Sequence, residues 1–424
     1  MPMETLLFLA HRLPYPPTKG DKVRSHHLLR HLAQRYRVVL GSFIDDPLDW
    51  QHVEALGALC AEVHVEPIVR WSKRIRSAGA LLTGEALTLP YFHSSALDEW
   101  VKDIVRRERI ERAFVFSSPM AQYVLDLPRM RSIVDFVDLD SAKWGDYARR
   151  RPWPVSAVYQ REARRLLAFE KHIAARVETS LFVTREEARL LSAAAPECAN
   201  RITAIENGVD SEHFSPAHRF ESPFPTSEHP IVFTGTMDYW PNVDAVVWFA
   251  REVLPRIRQH DASARFHVVG MNPHRTVRAL ESDAAVNVTG RVEDVRPYLR
   301  HAHAVVAPLR VARGIQNKVL EAMAMGQPVV VTSAAAAALS ARIGVELEVA
   351  DDAAAFAAKV LAVMEPAAAA IMGRRARARI LADYTWTSRF ARLDELMAQG
   401  ETTRSAPTPA YASPRPATAA VSTR

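Results

Sequence analysis

Cysteine is nearly absent from the 424 residues: Cys60 and Cys198 are the whole supply. Two thiols exclude a disulfide framework and a cysteine-rich metal site, and they fit a reducing compartment. Sixteen histidines are scattered along the chain. Neither His26-His27 nor His301-x-His303 has partners at ligand spacing, so no metal is expected. No secretory signal opens the sequence. Its first ten residues are too short for an apolar signal core with a positive flank, and Leu6-Leu7-Phe8-Leu9-Ala10 reads as a first strand. One uncharged window, Ala322 to Ala341, has the length of a bilayer span. It is broken by Gly326, Gln327, Pro328, Thr332 and Ser333 and is otherwise mostly alanine. It is expected to be a helix end, a turn, a strand and the next helix, in a soluble, cytoplasmic chain. No solenoid repeat is present.

Apolar residues make up 48% and charged residues 24% of the chain, an ordinary globular balance. Lys and Arg number 54 against 48 Asp and Glu, a net charge of +6. So small a surplus suits anionic ligands or an acidic membrane surface and does not demand nucleic acid. Short β-branched or aromatic runs recur, among them Val38–Leu40, Val63–Val65, Ala113–Phe116, Ile133–Val137, Thr179–Val183, Ile231–Thr234, Phe266–Val269, Ala304–Ala307 and Val329–Val331. Stretches with helical spacing lie between them, as at Val23–Gln34, Leu97–Arg109, Asp244–Ile257 and Lys318–Met325. Such alternation predicts an α/β fold of parallel sheets covered by helices, with ligands at the carboxyl ends of the strands. The turn-prone Asn207-Gly208-Val209-Asp210, followed by Pro216, Pro223, Pro225 and Pro230, marks a boundary near 207–230. The expectation is two lobes with a cleft between them. From Glu401 to Arg424 the chain is rich in Pro, Ser, Thr and Ala, and a disordered tail is expected there.

The chemistry concentrates in Arg313-Gly314-Ile315-Gln316-Asn317-Lys318-Val319-Leu320-Glu321-Ala322-Met323-Ala324-Met325-Gly326-Gln327-Pro328. Gly314 permits a tight turn, Asn317 is a plausible N-cap, and Gly326 ends the helix. A lysine in the first turn is electrostatically misplaced unless an anion sits there, so the free N–H groups and Lys318 together point to phosphate. Glu321, one turn inside, is suited to accept two hydrogen bonds from ribose hydroxyls. The alternative is an ordinary surface pair three residues apart.

This stretch resembles the donor-site helix of family 4 glycosyltransferases, the retaining two-lobed GT-B class. Further matches follow in the family's order. Ile205-Glu206-Asn207-Gly208-Val209-Asp210 with Phe214 and Pro216 is similar to the interlobe signature. Val232 to Asn242, with Gly235, is similar to the strand and loop that open the second lobe, and Val288-Thr289-Gly290-Arg291-Val292 to the base-binding strand end. His11 to Asp21, with Lys19 and Gly20, and Asp135 to Ser141 resemble a subgroup of sugar transferases from exopolysaccharide clusters associated with PEP-CTERM/exosortase systems. The resemblance covers about residues 5–398. It implies two Rossmann-like lobes in GT-B architecture. Residues 1–206 would form the acceptor lobe, joined by the last helix at about 385–398, and 207–384 the nucleotide-sugar donor lobe.

Departures from the family's pattern matter. The glutamate eight residues before Glu321 is replaced by Arg313. The arginine and lysine of the second-lobe loop are replaced by Thr236 and Asn242. Arg313 and Lys318 are therefore expected to supply the missing positive charge from the opposite loop. In the first lobe, Gly20 would approach the donor phosphates, with Lys19, Lys22 and Arg24 as further cations. Asp138, with Asp140, would orient the acceptor hydroxyl or meet positive charge on the anomeric carbon; helix capping by Asp140 or Ser141 is the alternative. Asp138-Leu139-Asp140 also spells a metal–nucleotide motif of a different fold, in which the second-lobe motifs have no place.

Two basic stretches, Arg70 to Arg76 and Arg149-Arg150-Arg151-Pro152-Trp153 with Arg161 to Arg165, place cations beside Trp, as at an anionic bilayer surface; solvated helix faces are the alternative. The resemblance thus implies a retaining hexosyltransferase. It would move sugar from a nucleotide-diphosphate sugar to a lipid-linked or growing exopolysaccharide acceptor, peripherally at the inner face of the plasma membrane. Catalytic candidates are Asp138, Arg313 and Lys318. Donor-binding candidates are Gly20, Gly235, Arg291, Gly314 and Glu321. No cofactor and no nucleic acid are called for. A non-catalytic nucleotide-binding partner and a nucleotide-sugar epimerase on the same fold stay open.

Overall fold

The computed structural model describes residues 3–17, 20–68, 84–149, 151–312 and 314–399. Lys19, the basic stretch at 70–76, Arg150, Arg313 and the tail from 401 lie outside the described residues.

Two parallel sheets organise the chain. The first has seven strands: β1 (Thr5–Ala10), β2 (Arg37–Ile44), β3 (Glu62–Pro67), β4 (Arg112–Phe116), β5 (Arg131–Val137), β6 (Thr179–Phe182) and β7 (Ile202–Ala204). Their spatial order is β3-β2-β1-β4-β5-β6-β7. The second has six: β8 (His229–Thr234), β9 (Ala264–Val269), β10 (Val286–Gly290), β11 (Ala304–Ala307), β12 (Val329–Val331) and β13 (Glu348–Val349). Their order is β10-β9-β8-β11-β12-β13. The main helices are α1 (Gly20–Ala33), α2 (Ser95–Glu108), α3 (Asp140–Arg149), α4 (Val155–Arg176), α5 (Arg185–Ala194), α6 (Trp240–Trp248), α7 (Asn317–Ala324), α8 (Ala353–Met364), α9 (Pro366–Asp383) and α10 (Trp386–Gln399). This is the α/β, two-lobed class that strand–helix alternation predicts.

Helices cover both faces of each sheet, which explains why the strands carry continuous apolar runs rather than alternation. Leu6 to Ala10 are all buried, and β1 pairs Leu6 with Val38 on one side and with Arg112 on the other. α2 shows how local sequence sets an element. Ser94 Oγ accepts from the Leu97 amide, Leu97, Val101 and Ile104 form the buried stripe, and Arg109 at φ 53° closes the helix. The uncharged window at 322–341 resolves into the end of α7, a turn at Gly326, β12 and a short helix at Ser333–Ala336. No single helix among the described residues is long and apolar enough to cross a membrane.

The chain passes between the lobes twice, and the two crossings bond to each other. The Val209 amide donates to the Tyr384 carbonyl at 2.7 Å. Gly208 lies so close that a Cβ would meet the Trp386 backbone nitrogen at 2.7 Å. α10 then packs on the first sheet, where Trp386, Phe390, Leu393 and Met397 share a core with Phe8, Leu28 and Phe114.

Arg24 of α1 fastens the first crossing from within. Its Nε donates to Asp135 Oδ2 at 2.8 Å and its Nη1 to Asn207 Oδ1 at 3.0 Å. Arg24 and Asp135 are both buried. Removing one member of such a pair leaves an uncompensated charge indoors, at a cost of about 3–5 kcal/mol. Asp135→Ala is therefore expected to lower the urea midpoint of the first lobe sharply, followed by far-UV circular dichroism. A Lys102→Ala control removes an exposed pair with Asp98 and is expected to shift it little.

Candidate functional site in the interlobe cleft

In the second sheet, β8 pairs with β9 on one side and with β11 on the other. Successive connections leave in opposite directions there, and a crevice opens above the carboxyl ends of β8 and β11. Gly235 follows β8, and the loop after β11 leads through Gly314 into α7. Gly314 has φ 62°, a left-handed conformation that glycine adopts without strain. Helix bonding starts at Gln316, whose carbonyl accepts from the Val319 amide at 2.9 Å. The cap is thus extended Gln316, and Asn317 is the first helical residue, a correction of one position. The Gln316 side chain makes no capping bond at this end. Its first-turn N–H groups remain available to an anion.

Lys318 reaches into the crevice rather than along its own helix. Its Nζ donates to Asn242 Oδ1 at 2.7 Å and lies 4.1 Å from the centre of the Phe233 ring. Asn242 is turned by its own bond from Nδ2 to the Thr236 carbonyl, 2.8 Å. Gly235 completes the nest, since a Cβ there would stand 2.9 Å from both Lys318 Nζ and Asn242 Nδ2. Of the two positions where the resemblance expects cations, Asn242 therefore holds the lysine supplied by α7, and Thr236 holds Asn242. Burial draws the Lys318 ammonium down to about 7, against the opposing charge of Glu321. Burial likewise pushes the Glu321 carboxyl up to about 7, with Lys318 pulling the other way. Arg291 lies exposed just beyond β10, and Gly20 is the first residue of α1.

The first lobe presents a carboxylate cluster at the ends of β5 and β6. Asp138 pairs with Lys143 Nζ at 2.5 Å, and Asp140 pairs with the same ammonium at 3.3 Å. Glu187 Oε1 accepts from the Leu139 amide at 3.4 Å, and Glu170 Oε1 accepts from the Ser141 amide at 3.2 Å. Carboxylates from α5 and α4 thus serve the α3 entry, while Asp140 bonds Lys143. Burial, then the charge of Asp138, raise Glu187 to about 7. Burial raises Glu170 to about 8 and also lifts Asp140. Burial opposes the Lys143 charge as well, but Asp140 and Asp138 outweigh it and hold the ammonium above its ordinary value.

The two halves approach each other at Gly314. A Cβ on Gly314 would lie 3.2 Å from Thr184 Cγ2. Thr184 caps α5 by accepting from the Glu187 amide at 3.2 Å. Beside this contact a cavity of about 390 Å³ separates Thr184 and Arg185 of the first lobe from Gly314, Ile315 and Leu339 of the second. Gly314 thus faces the first lobe, while Gly235 and Lys318 lie together behind it in the second and Asp138 lies in the first-lobe cluster that includes Glu187.

Two expected first-lobe cations are not directed at the cleft. Lys22 bonds Asp49 at 2.5 Å, both nearly buried, and Arg24 is committed to Asp135. Their partners lie far away in sequence, so a basic turn could not reveal them. Sequence reasoning also passed over Lys143 and Glu187. The signal for Glu187 was present as Thr184-x-x-Glu187, the spacing of a capping box.

Comparison with known proteins bears on both lobes. The sequence profile of the family described as "Glycosyl transferases group 1" matches residues 228–366. No curated protein sequence matches the chain significantly. Among solved structures, sucrose-phosphate synthase from Thermosynechococcus elongatus superposes with a TM-score of 0.64 at 16% identity, over 94% of this chain and 99% of that one. HepE of Anabaena in complex with UDP-glucose gives 0.60 at 12% identity, over 93% and 99%. WaaG, a glycosyltransferase involved in lipopolysaccharide biosynthesis, gives 0.59 at 12% identity, over 92% and 99%. These likenesses are of fold. Residues 228–366 thus match a glycosyl transferases group 1 domain, and the two parallel-sheet lobes of the chain have the GT-B architecture.

Proposed function

We propose that the protein transfers a hexose from a nucleotide-diphosphate sugar to a lipid-linked or growing exopolysaccharide acceptor, with retention of anomeric configuration. Residues 207–384 would hold the donor. Residues 1–206, with α10, would hold the acceptor. The observation that carries the reading is the Lys318 ammonium, seated on Asn242 at the open N-terminus of α7 above β8 and β11. A diphosphate there would meet the first-turn N–H groups and a point charge, with Arg313 as the second cation. Both oppose the negative charge that grows on the leaving group as the glycosidic bond to phosphate breaks. Glu321, one turn further, would take the ribose hydroxyls, and Arg291 would lie beside the base. Asp138, across the cleft and held by Lys143, would orient the acceptor hydroxyl or meet positive charge at the anomeric carbon. Closure of the lobes would exclude water.

Relatives support the donor class: the HepE complexes contain UDP, glucose and UDP-glucose. The resemblance to exopolysaccharide sugar transferases supports the acceptor class. An exposed patch on the first lobe supports work at an anionic bilayer. Trp153 is 81% exposed at the turn between α3 and α4, with Tyr147, Val155 and Val158 also exposed. Arg151 is exposed beside it, and Arg164 and Arg165 are exposed further along α4.

A thermal-shift panel of nucleotide sugars is expected to find at least one that stabilises the protein by mass action and is consumed when acceptor is present. A panel with no hit removes the reading. For a donor that binds, the depressed lysine fixes the pH dependence. Lys318 carries its charge below about 7 and loses it above. Because a bound diphosphate requires the charged form, the donor Kd is expected to rise about tenfold per pH unit above 7. Lys318→Gln should weaken binding and flatten that slope; an unchanged slope would separate Lys318 from the phosphates. Asp138→Asn is expected to lower kcat by about a hundredfold or more while donor Kd stays as in the wild type. In flotation assays the protein should rise with anionic but not neutral liposomes, and salt or Trp153→Ala should reduce it. Salt-insensitive or absent binding ends the membrane part of the proposal.

A further inference from the structure

A second cavity, of about 340 Å³, lies behind the cleft where the two crossings meet. It shares Arg185, Glu206 and Ser340 with the cavity beside Gly314 and continues to Tyr384, Arg389 and Arg392. Its charges are unbalanced. Three guanidinium groups line it against two carboxylates, and Asp383 is engaged by Arg379 at 2.5 Å. Glu206 is left as the counter-ion of two of the three guanidinium groups, 3.1 Å from Arg389 and 3.8 Å from Arg185, while Arg392 pairs with the exposed Glu395. Arg389 is held in place, its guanidinium 4.4 Å over the Tyr384 ring. Its buried Nε has no acceptor among the described residues. A positioned donor without an acceptor, in a chamber walled by further arginines, is incompletely satisfied by the protein alone.

We propose that this chamber is a second anion site, which takes a compact phosphomonoester independently of the donor. A phosphate offers several acceptor oxygens, enough for the forked donors of Arg185, Arg389 and Arg392 together, whereas Glu206 serves only Arg185 and Arg389 and the exposed Glu395 takes one donor of Arg392. The volume falls in the range of small-molecule pockets and leaves room for a short polyol beyond the phosphate. Ligand binding there involves no covalent step. Glu206 opposes it, because its charge occupies the arginines that the phosphate would use. The contents would touch Arg185 from the first lobe, Ser340 from the second and α10, which follows the second crossing.

The inference does not rest on the donor reading, and its test keeps the two apart. Inorganic phosphate and glycerol 3-phosphate serve as probes for the full chain, with glycerol as the neutral control, followed by isothermal titration calorimetry. Both phosphates are expected to bind protein saturated with UDP, and equally to bind the Lys318→Gln variant without UDP; glycerol is not. Arg185→Gln with Arg392→Gln, two exposed positions with little bearing on folding, should weaken the Kd about tenfold or more. Glu206→Gln should tighten it several-fold, a gain that a merely structural role for Glu206 would not produce. Displacement by UDP, loss in Lys318→Gln, or indifference to the arginine pair would overturn the proposal, as would absence of binding. If UDP does not bind at all, the donor reading suffers and the Lys318→Gln arm still decides this one.

Discussion

The bond from Lys318 Nζ to Asn242 Oδ1 sets the conditions for the second lobe's crevice. A lysine in the first turn of a helix faces the positive end of the macrodipole, which costs about 0.3–1 kcal/mol before burial is counted. The surroundings compensate in a definite way. The Phe233 ring offers its negative face, Asn242 offers a carbonyl, and Glu321 lies one turn along the same helix. Each compensation constrains another residue. Asn242 must be oriented by the Thr236 carbonyl, and position 235 must lack a side chain. Gly270 packs so tightly on Gly235 that a Cβ would fall 1.7 Å from its carbonyl oxygen. The site is therefore a steric nest built around one charge, on strands that form the lobe's core.

The first lobe and the crossings give that nest something to face. Arg24 connects α1, β5 and Asn207, so the first crossing leaves the sheet in a direction fixed by a buried ion pair. The second crossing is tied to the first through Val209 and Tyr384, and α10 returns to the first core. At the far end Arg377 of α9 donates to the Ala324, Phe214 and Ser211 carbonyls. It thereby joins the C-terminus of α7 to the segment just past the crossing. α7 is thus held at its head by β8 and its loop, and at its tail by α9.

What the sequence made legible follows from the range of the interactions involved. Continuous apolar runs such as Ala304–Ala307 and Val329–Val331 became strands with those bounds, because burial on both faces rewards local composition. β7 and β13, of three and two residues, are too short to leave a pattern. The segment Asp244–Ile257 has helical spacing, yet it breaks into α6, a π-helical turn at Phe249–Val253 and a short helix at Leu254–Arg258. Pro255 has no N–H to continue the ladder, and the extra residue of the wide turn absorbs that loss. Around the site, Gly314, Lys318 and Glu321 could be singled out because they lie within one loop and helix. Lys22 and Arg24 could not be judged locally, since their carboxylates are 27 and 111 residues away. Glu187 was masked by its own legibility: a capping-box residue already has a sufficient local explanation.

Charge across the cleft links these pieces. On the first lobe, burial holds Glu170 and Glu187 at or above about 7, so near neutral pH they are substantially protonated. Asp138 and Asp140 share Lys143. The cluster is consequently much less negative than four carboxylates would suggest. On the second lobe, Lys318 titrates near 7 and carries only part of its charge. An anion entering beside Lys318 would restore that charge in full, because the protonated lysine binds it and the neutral one does not. Binding and protonation then become one event at the lobe interface. The carboxylates opposite would feel a newly fixed ion pair rather than a half-charged amine. A lysine titrating near 7 would let the cleft respond to an anion bound there, as a permanently charged arginine at the same place would not.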